Sequence, residues 1–331
     1  MSLISASRIV STAVAAISGV ALAGAAHAAE PLTFQMSWRA QAEFGGYYQA
    51  LAKGFYADCG VDMTIRDGAP GMDSAQLLSA GAVDVALVPQ NDTVLQMNRA
   101  GFPARAVMAG LQKNLTILLY HEESGIKAPK DIMGKPVLLS QSTRTTVWPF
   151  LKAKYGFSDE QLRAYSGQVA TWMADKNSVQ QGVATQEPFR IKAETGKFPS
   201  FFLLADMGYA PYTAIVAVSQ KLIDTKPAAV QCLVDASRKG WADFMKDPKP
   251  GFEAILKRNP QTNQELLAYT HQALRSQGIA INEETAKLGV GVITDARWKQ
   301  HFDLLVSSGV FPADFDYKST YTTRFIQTPI N

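Results

Sequence analysis

"LTFQMSWRAQAEFGGYYQALAKGFYADCGVDMTIRD", residues 32–67, reads as a strand, a helix and a second strand. "LTFQMS" (32–37) is a short apolar run. From Glu43 the apolar residues Phe44, Tyr47 or Tyr48, Leu51 and Phe55 return at three- and four-residue spacing, which marks one helix face. "VDMTIRD" (61–67) then reads as the next strand. Strand, helix and strand in this order make a right-handed crossover between parallel neighbours. Gly45 and Gly46 stand at the start of the helix, although each costs a helix about 1 kcal/mol relative to Ala. Packing alone does not require them. They are expected to let a ligand group or an opposing lobe approach the backbone.

The same alternation continues outward. A turn "GAPG" (68–71) leads to a helix from Asp73, a buried strand "VDVALVP" (83–89), and a helix running to "NRAGFP" that Asn91 or Asp92 can cap. A second set of elements begins at "LTILLYHEES" (115–124). It continues through "APKDIMGKPVLLS" (128–140), "STRTTVWPFLKAKYG" (142–156), "NSVQQGVATQEPF" (177–189) and "SFFLLADMG" (200–208). After "YAPYTAIVAVS" (209–219) the chain is helical over 226–244, 251–259, 263–276, 283–288 and 295–308. This order predicts an α/β fold of two lobes, each a mainly parallel sheet flanked by helices. Lobe 1 is expected over 29–114 plus 209–331, and lobe 2 over 115–208. Two crossings then make a two-stranded hinge, with a cleft at the carboxyl ends of the strands, where open α/β sheets bind ligands.

Composition bounds the function. "MSLISASRIVSTAVAAISGVALAGAAHAAE" carries one early charge, Arg8, then an apolar run ending in "AHA". That is an export signal over residues 1–28, cleaved near Ala28, and it predicts a periplasmic protein. No later stretch approaches the roughly 20 apolar residues a membrane span needs. With 32 Lys and Arg against 29 Asp and Glu and no basic run, nucleic acid is not expected as a partner. Cys59 and Cys232 are far apart in sequence and are expected as separate buried thiols, although export permits a disulfide. His121, His271 and His301 show no metal-ligand spacing. No metal or cofactor is expected, and no catalytic residue stands out.

Several segments together resemble a known family. "SWRAQAEFGGYYQALAKGFYADCGVDMTI", "GFP", "GKPVLLS", the "TQEPF" turn (185–189) and the ending "GVITDARWKQHFDLLVSSGVFPADFDYKSTYTTRFI" are similar to the type II periplasmic solute-binding proteins of ABC importers. Within that family the chain resembles the branch that binds the thiamine pyrimidine precursor, together with the fungal pyrimidine synthase that shares its fold. The resemblance implies the periplasmic-binding-protein type II fold and a monomer that delivers its ligand to an inner-membrane permease. It implies a nitrogen heterocycle as ligand, a thiamine-precursor pyrimidine or a relative. Riboflavin, sulfonate and nitrate are the alternatives on similar folds. The synthase carries an active-site Lys and His and a Cys-rich loop. Here the matching stretches read "LVPQNDTVL" and "GYAPYTAIV", which argues against an enzyme.

A flat heterocycle needs aromatic faces and a few polar groups at its edge. Trp38, just after the first strand, faces the cleft or packs between lobes, and the resemblance favours the ligand. Glu43 lies at the N-terminus of the following helix, where amides and dipole favour an electron-rich group. Tyr47 and Tyr48 are about 100° apart on a helix, so one is expected in the core and the other in the cleft. Gln90 and Asn91 end the third strand; in the second lobe Ser140, Ser142 and Thr143 occupy the corresponding loop. They cap the helix there, contact ligand, or do both. The resemblance marks Glu187 as the acid of a Glu-Pro turn lining the cleft. Tyr209 and Tyr212, at the return crossing, close over a ring or pack the hinge.

Overall fold

The computed structural model describes residues 29–165, 168–326 and 329–330. The expected export signal, residues 1–28, lies outside them, as does the side chain of Ser142. The opening unit forms as β1 (Glu30–Gln35), α1 (Gly45–Ala52) and β2 (Val61–Arg66). Then follow α2 (Ser74–Ser79), β3 (Val85–Gln90), α3 (Asn91–Arg99) and β4 (Ala104–Leu111). The chain crosses to β5 (Thr116–Tyr120), β6 (Val137–Leu139), α4 (Gln141–Tyr155), β7 (Leu162–Ala164), α5 (Ala170–Ala174), β8 (Val179–Val183), α6 (Glu187–Thr195) and β9 (Ser200–Leu203). It returns through β10 (Thr213–Ser219). The helices α7 (Gln220–Thr225), α8 (Pro227–Lys246), α9 (Lys249–Arg258), α10 (Gln264–Ser276), α11 (Glu283–Leu288) and α12 (Asp295–Ser307) follow.

Two five-stranded sheets result, ordered β2-β1-β3-β10-β4 and β7-β6-β8-β5-β9. β1 runs parallel to β2 and β3, and β6 to β7 and β8. β10 is antiparallel to β3 and β4, and β5 to β8 and β9. Each sheet is therefore mixed, with one reversed strand. The cause is the path of the chain. β4 ends at Leu111, level with the carboxyl end of β3 on the far side of β10, and the crossing enters the second sheet at Thr116, paired with Val183 at the carboxyl end of β8. β10 likewise starts at Thr213, opposite Gln90. A strand entered from the cleft side must run against its neighbours.

Periodicity placed the first helix correctly but not its glycines. α1 is wedged between the first sheet and α8, and Tyr47 meets Phe34 on one side and Trp241 on the other, edge to face. A β-carbon on Gly45 would stand 2.1 Å from Phe244 Cζ, and one on Gly46 2.2 Å from Trp241 Cγ. Gly240 of α8 answers from the other side, since its β-carbon would fall 2.2 Å from the Gly46 carbonyl oxygen. The glycines are there for helix packing after all, and the expected approach of a ligand or an opposing lobe is replaced by two aromatic rings.

Two further expectations change. Cys59 and Cys232 form a disulfide, with α-carbons 5.6 Å apart across a sequence separation of 173. Distance along the chain said nothing about distance in space, because α8 folds back over the turn before β2. Asp73 caps α2 through the Ala75 and Gln76 amides as expected, whereas neither Asn91 nor Asp92 caps α3. The N-cap of α3 is Gln90, and its side chain makes no capping bond.

Candidate functional site

The carboxyl ends of β1 and β3 in one sheet and of β6 and β8 in the other carry the polar residues singled out above. Trp38 follows β1 and remains 41% exposed, the wrong state for a residue buried between lobes. It lines a recess of about 270 Å³ with Arg39, Glu43, Gln186, Arg190 and Gln261. That recess is walled by both halves of the chain: Trp38 and Glu43 precede α1, and Gln186 and Arg190 belong to the β8–α6 segment.

Glu43 is buried at the junction. Its Oε1 accepts hydrogen bonds from Thr185 Oγ1 at 2.5 Å and from Gln186 Nε2 at 2.7 Å. Its Oε2 is buried with no protein partner. Burial pushes the Glu43 carboxyl above its ordinary range against the pull of those donors, and the nearby Glu187 charge adds to the rise. Glu187 starts α6, and its Oε2 accepts from the Val183 amide at 2.5 Å, closing the turn. Its carboxyl is also raised by burial. Tyr165 lies near enough for the Glu187 charge to add to the rise that burial gives its phenol.

A buried network joins the two crossings. Gln90 Nε2 donates to Asp92 Oδ2 at 2.8 Å and to the Tyr209 hydroxyl at 3.2 Å. Gln90 Oε1 accepts from Asn114 Nδ2 at 3.1 Å. The Tyr209 hydroxyl donates to Asp92 Oδ2 at 3.0 Å, and His301 Nε2 pairs with Asp92 Oδ1. Asn91, between Gln90 and Asp92 in sequence, is fully buried with both amide atoms unpartnered. Gln180 in β8 is in the same state. A buried polar atom without a partner costs about 1–3 kcal/mol, so a further partner at Glu43, Asn91 or Gln180 would lower the energy.

In the second lobe Ser140 is the N-cap of α4: its hydroxyl accepts from the Thr143 amide at 3.3 Å and pairs with the Thr143 hydroxyl at 2.9 Å. Its own amide donates to Gln181 Oε1 at 2.6 Å. Arg144 reaches the Leu139 and Arg163 carbonyls, tying β6 to β7. It grips backbone there.

Four expected ligand residues, Tyr47, Tyr48, Tyr209 and Tyr212, are buried inside the protein. Tyr47 and Tyr48 are both fully buried; the Tyr47 hydroxyl donates to the Ala214 carbonyl at 3.3 Å and the Tyr48 hydroxyl to Asp67 Oδ1 at 2.6 Å. The expectation that one would face the cleft fails because α1 is covered on all sides. Tyr212 packs the return crossing, its hydroxyl paired with Thr294 Oγ1 and its ring 4.0 Å from the Arg297 guanidinium. Tyr209 is fully buried in the Asp92 network. Gln90 spends its amide in that network too. The site also holds residues the sequence reading passed over: Thr185 and Gln186 directly precede Glu187 in the quoted "TQEPF" turn, while nothing in the sequence distinguishes Gln180 or pairs His301 with Asp92.

Residues 41–250 match the family model described as NMT1/THI5 like. The riboflavin-binding protein RibY of Chloroflexus aurantiacus is 26% identical over 304 residues, covering 90% of this chain and 86% of its own. A formylaminopyrimidine-binding protein of Halalkalibacterium halodurans is 21% identical over 247 residues, 72% of this chain and 74% of its own. A 4-amino-5-hydroxymethyl-2-methylpyrimidine phosphate synthase of Saccharomyces cerevisiae is 22% identical over 252 residues, with the same coverage of 72% and 74%. Among solved structures, the periplasmic aliphatic sulphonate binding protein SsuA of Escherichia coli superposes with a TM-score of 0.63 at 13% identity, covering 91% of this chain and 94% of that one. That likeness gives the type II periplasmic-binding-protein fold.

Proposed function

The chain belongs to the NMT1/THI5-like family, and from that premise we propose that it is the periplasmic solute-binding component of an ABC importer. Lobe 1 (29–114 plus 209–331) and lobe 2 (115–208) close on a small nitrogen heterocycle, and the closed form delivers it to an inner-membrane permease. The thiamine pyrimidine precursor or a related pyrimidine is the ligand of first choice. The observation that carries this reading is Glu43, an acid from one lobe held by two donors from the other at a recess with an exposed Trp38. The indole offers a ring to stack on. Two buried carboxyls, Glu43 and Glu187, suit a donor-rich or cationic ring and oppose a sulfonate or nitrate. The Cys59–Cys232 disulfide fits an oxidising compartment.

Riboflavin is the second reading, favoured by the RibY likeness over 90% of this chain. An enzymatic role has less support. Where the resemblance to the synthase asks for Lys and His, this chain has Gln90, Asn91 and Asp92, two of which are engaged in the network at the crossings.

Thermal unfolding of the purified protein with pyrimidines, riboflavin, ethanesulfonate and nitrate tests the assignment. Ligand at about a hundred times its dissociation constant adds about 2.7 kcal/mol to stability, which moves the melting temperature by a few degrees at this size. A shift with ethanesulfonate or nitrate alone refutes it. Trp38→Ala is expected to weaken heterocycle binding several-fold with the fold intact; unchanged affinity removes Trp38 from the site.

A further inference from the structure

We propose that Glu43 is the residue through which ligand identity is tied to lobe closure: its Oε1 holds the second lobe, and its Oε2 accepts a hydrogen bond from an N–H donor on the bound heterocycle. This rests on the importer reading above and adds to it the chemistry of the ligand's edge. The geometry has two parts. Oε1 takes both Thr185 Oγ1 and Gln186 Nε2, so the contact exists only when the β8–α6 turn lies against the start of α1. Oε2 is equally buried, lies on a residue that lines the Trp38 recess, and has no protein partner.

A buried carboxylate with one oxygen held by protein donors and the other without a protein partner carries an uncompensated desolvation cost. While Glu43 is ionised, a donor on the ligand offsets it and an acceptor worsens it. Glu187, buried at the start of α6 directly after Thr185 and Gln186, is a second carboxyl in the same turn, which further disfavours an acceptor-only anion. The edge that fits is an amino group, a protonated ring nitrogen or an imide N–H. The requirement is therefore wider than one compound and narrower than the fold, and it is set by one atom.

The test uses ligand pairs that differ by a donor: 4-amino-5-hydroxymethyl-2-methylpyrimidine beside the same ring without its amino group, and riboflavin beside N3-methylriboflavin. The wild-type protein is expected to bind the donor form at least tenfold more tightly than its partner, by titration calorimetry. Glu43→Gln keeps an amide oxygen for Thr185 and Gln186 and turns its NH₂ toward the ligand. It is expected to lose at least tenfold for the donor form and to flatten or reverse the preference. Thr185→Val, which loosens closure without touching the edge, is expected to weaken both forms alike by several-fold. If the wild type binds a heterocycle and Glu43→Gln retains both affinity and preference, the inference is wrong and the importer reading stands. Binding of ethanesulfonate or nitrate alone overturns both. Should Glu43→Gln not fold, the wild type's own preference decides, and equal affinity for donor form and analogue sinks the proposal.

Discussion

Gly46 shows how little a side chain's absence says about its purpose until the neighbour is known. It stands at the first turn of a helix near the cleft, yet what fills the space beside it is the indole of Trp241 from α8. The same crowding buries Tyr47 and Tyr48 together, although about 100° separates them on the helix: one side of α1 meets the sheet and the other meets α8 and α9. Gly46→Ala gains about 1 kcal/mol of helix propensity but forces a methyl group into an aromatic ring. Overpacking of this kind costs about 1–3 kcal/mol. The variant is expected to melt at a lower temperature than the wild type while keeping its ligand affinity within twofold. A melting temperature at or above the wild-type value would show that the ring yields and that the glycine is not required for packing.

Among the elements, α8 carries the first lobe. Most of its 20 residues are buried, Trp241 and Phe244 reach α1, and Cys232 joins it covalently to the turn before β2. That link closes a loop across a sequence separation of 173, for which chain entropy alone sets a stabilisation of about 5 kcal/mol, with about 2–5 kcal/mol the usual measured cost of losing such a bond. Reduction with a thiol, or the double variant Cys59→Ser with Cys232→Ser, is expected to lower the denaturant midpoint accordingly. A midpoint unmoved by reduction would mean that packing of α8 on α1 suffices without the bond. The reversed strands β5 and β10 belong to this scale too. Their direction follows from the side on which the chain enters each sheet, not from any feature of their own sequences, both of which are short apolar runs.

At the scale of the whole molecule, the proposed closure would draw on contacts made by α10, which lines the Trp38 recess through Leu267 and Thr270. α10 packs into the first lobe's core through Leu267 and Leu274, and from there it reaches the second lobe. The Tyr269 hydroxyl donates to the Ala184 carbonyl and the Thr270 hydroxyl to the Thr185 carbonyl, each at 3.2 Å. The Tyr269 ring also lies 5.4 Å from Phe189 and 5.9 Å from Phe198. Contacts made only in the closed form add to apparent affinity by raising the closed population. Tyr269→Ala is expected to weaken ligand binding several-fold although Tyr269 itself does not line the Trp38 recess. Small-angle scattering should then show less compaction at a ligand concentration that closes the wild type. Equal affinity with equal compaction would remove Tyr269 from the closure equilibrium.

The sequence by itself determined most of the elements and their order, although β4, β7, α5 and α7 were not read from it. The β2 alternation, the Asp73 and Asn263 caps and the helices from Pro227 onward are all written in residues a few positions apart, because hydrogen-bonded turns and period-2 strands are local. It also pointed to Glu43 and to the "TQEPF" turn, through their places at an element's start and through resemblance. Only the tertiary structure decided what each side chain faces. Thr185 meets Glu43 from 142 residues away and His301 meets Asp92 from 209 away, and the rings that claim Gly45 and Gly46 arrive on a helix nearly 200 residues later. No local period encodes such meetings. They are fixed by how whole elements stack to bury apolar surface, and that is settled only when the chain has come back across the hinge.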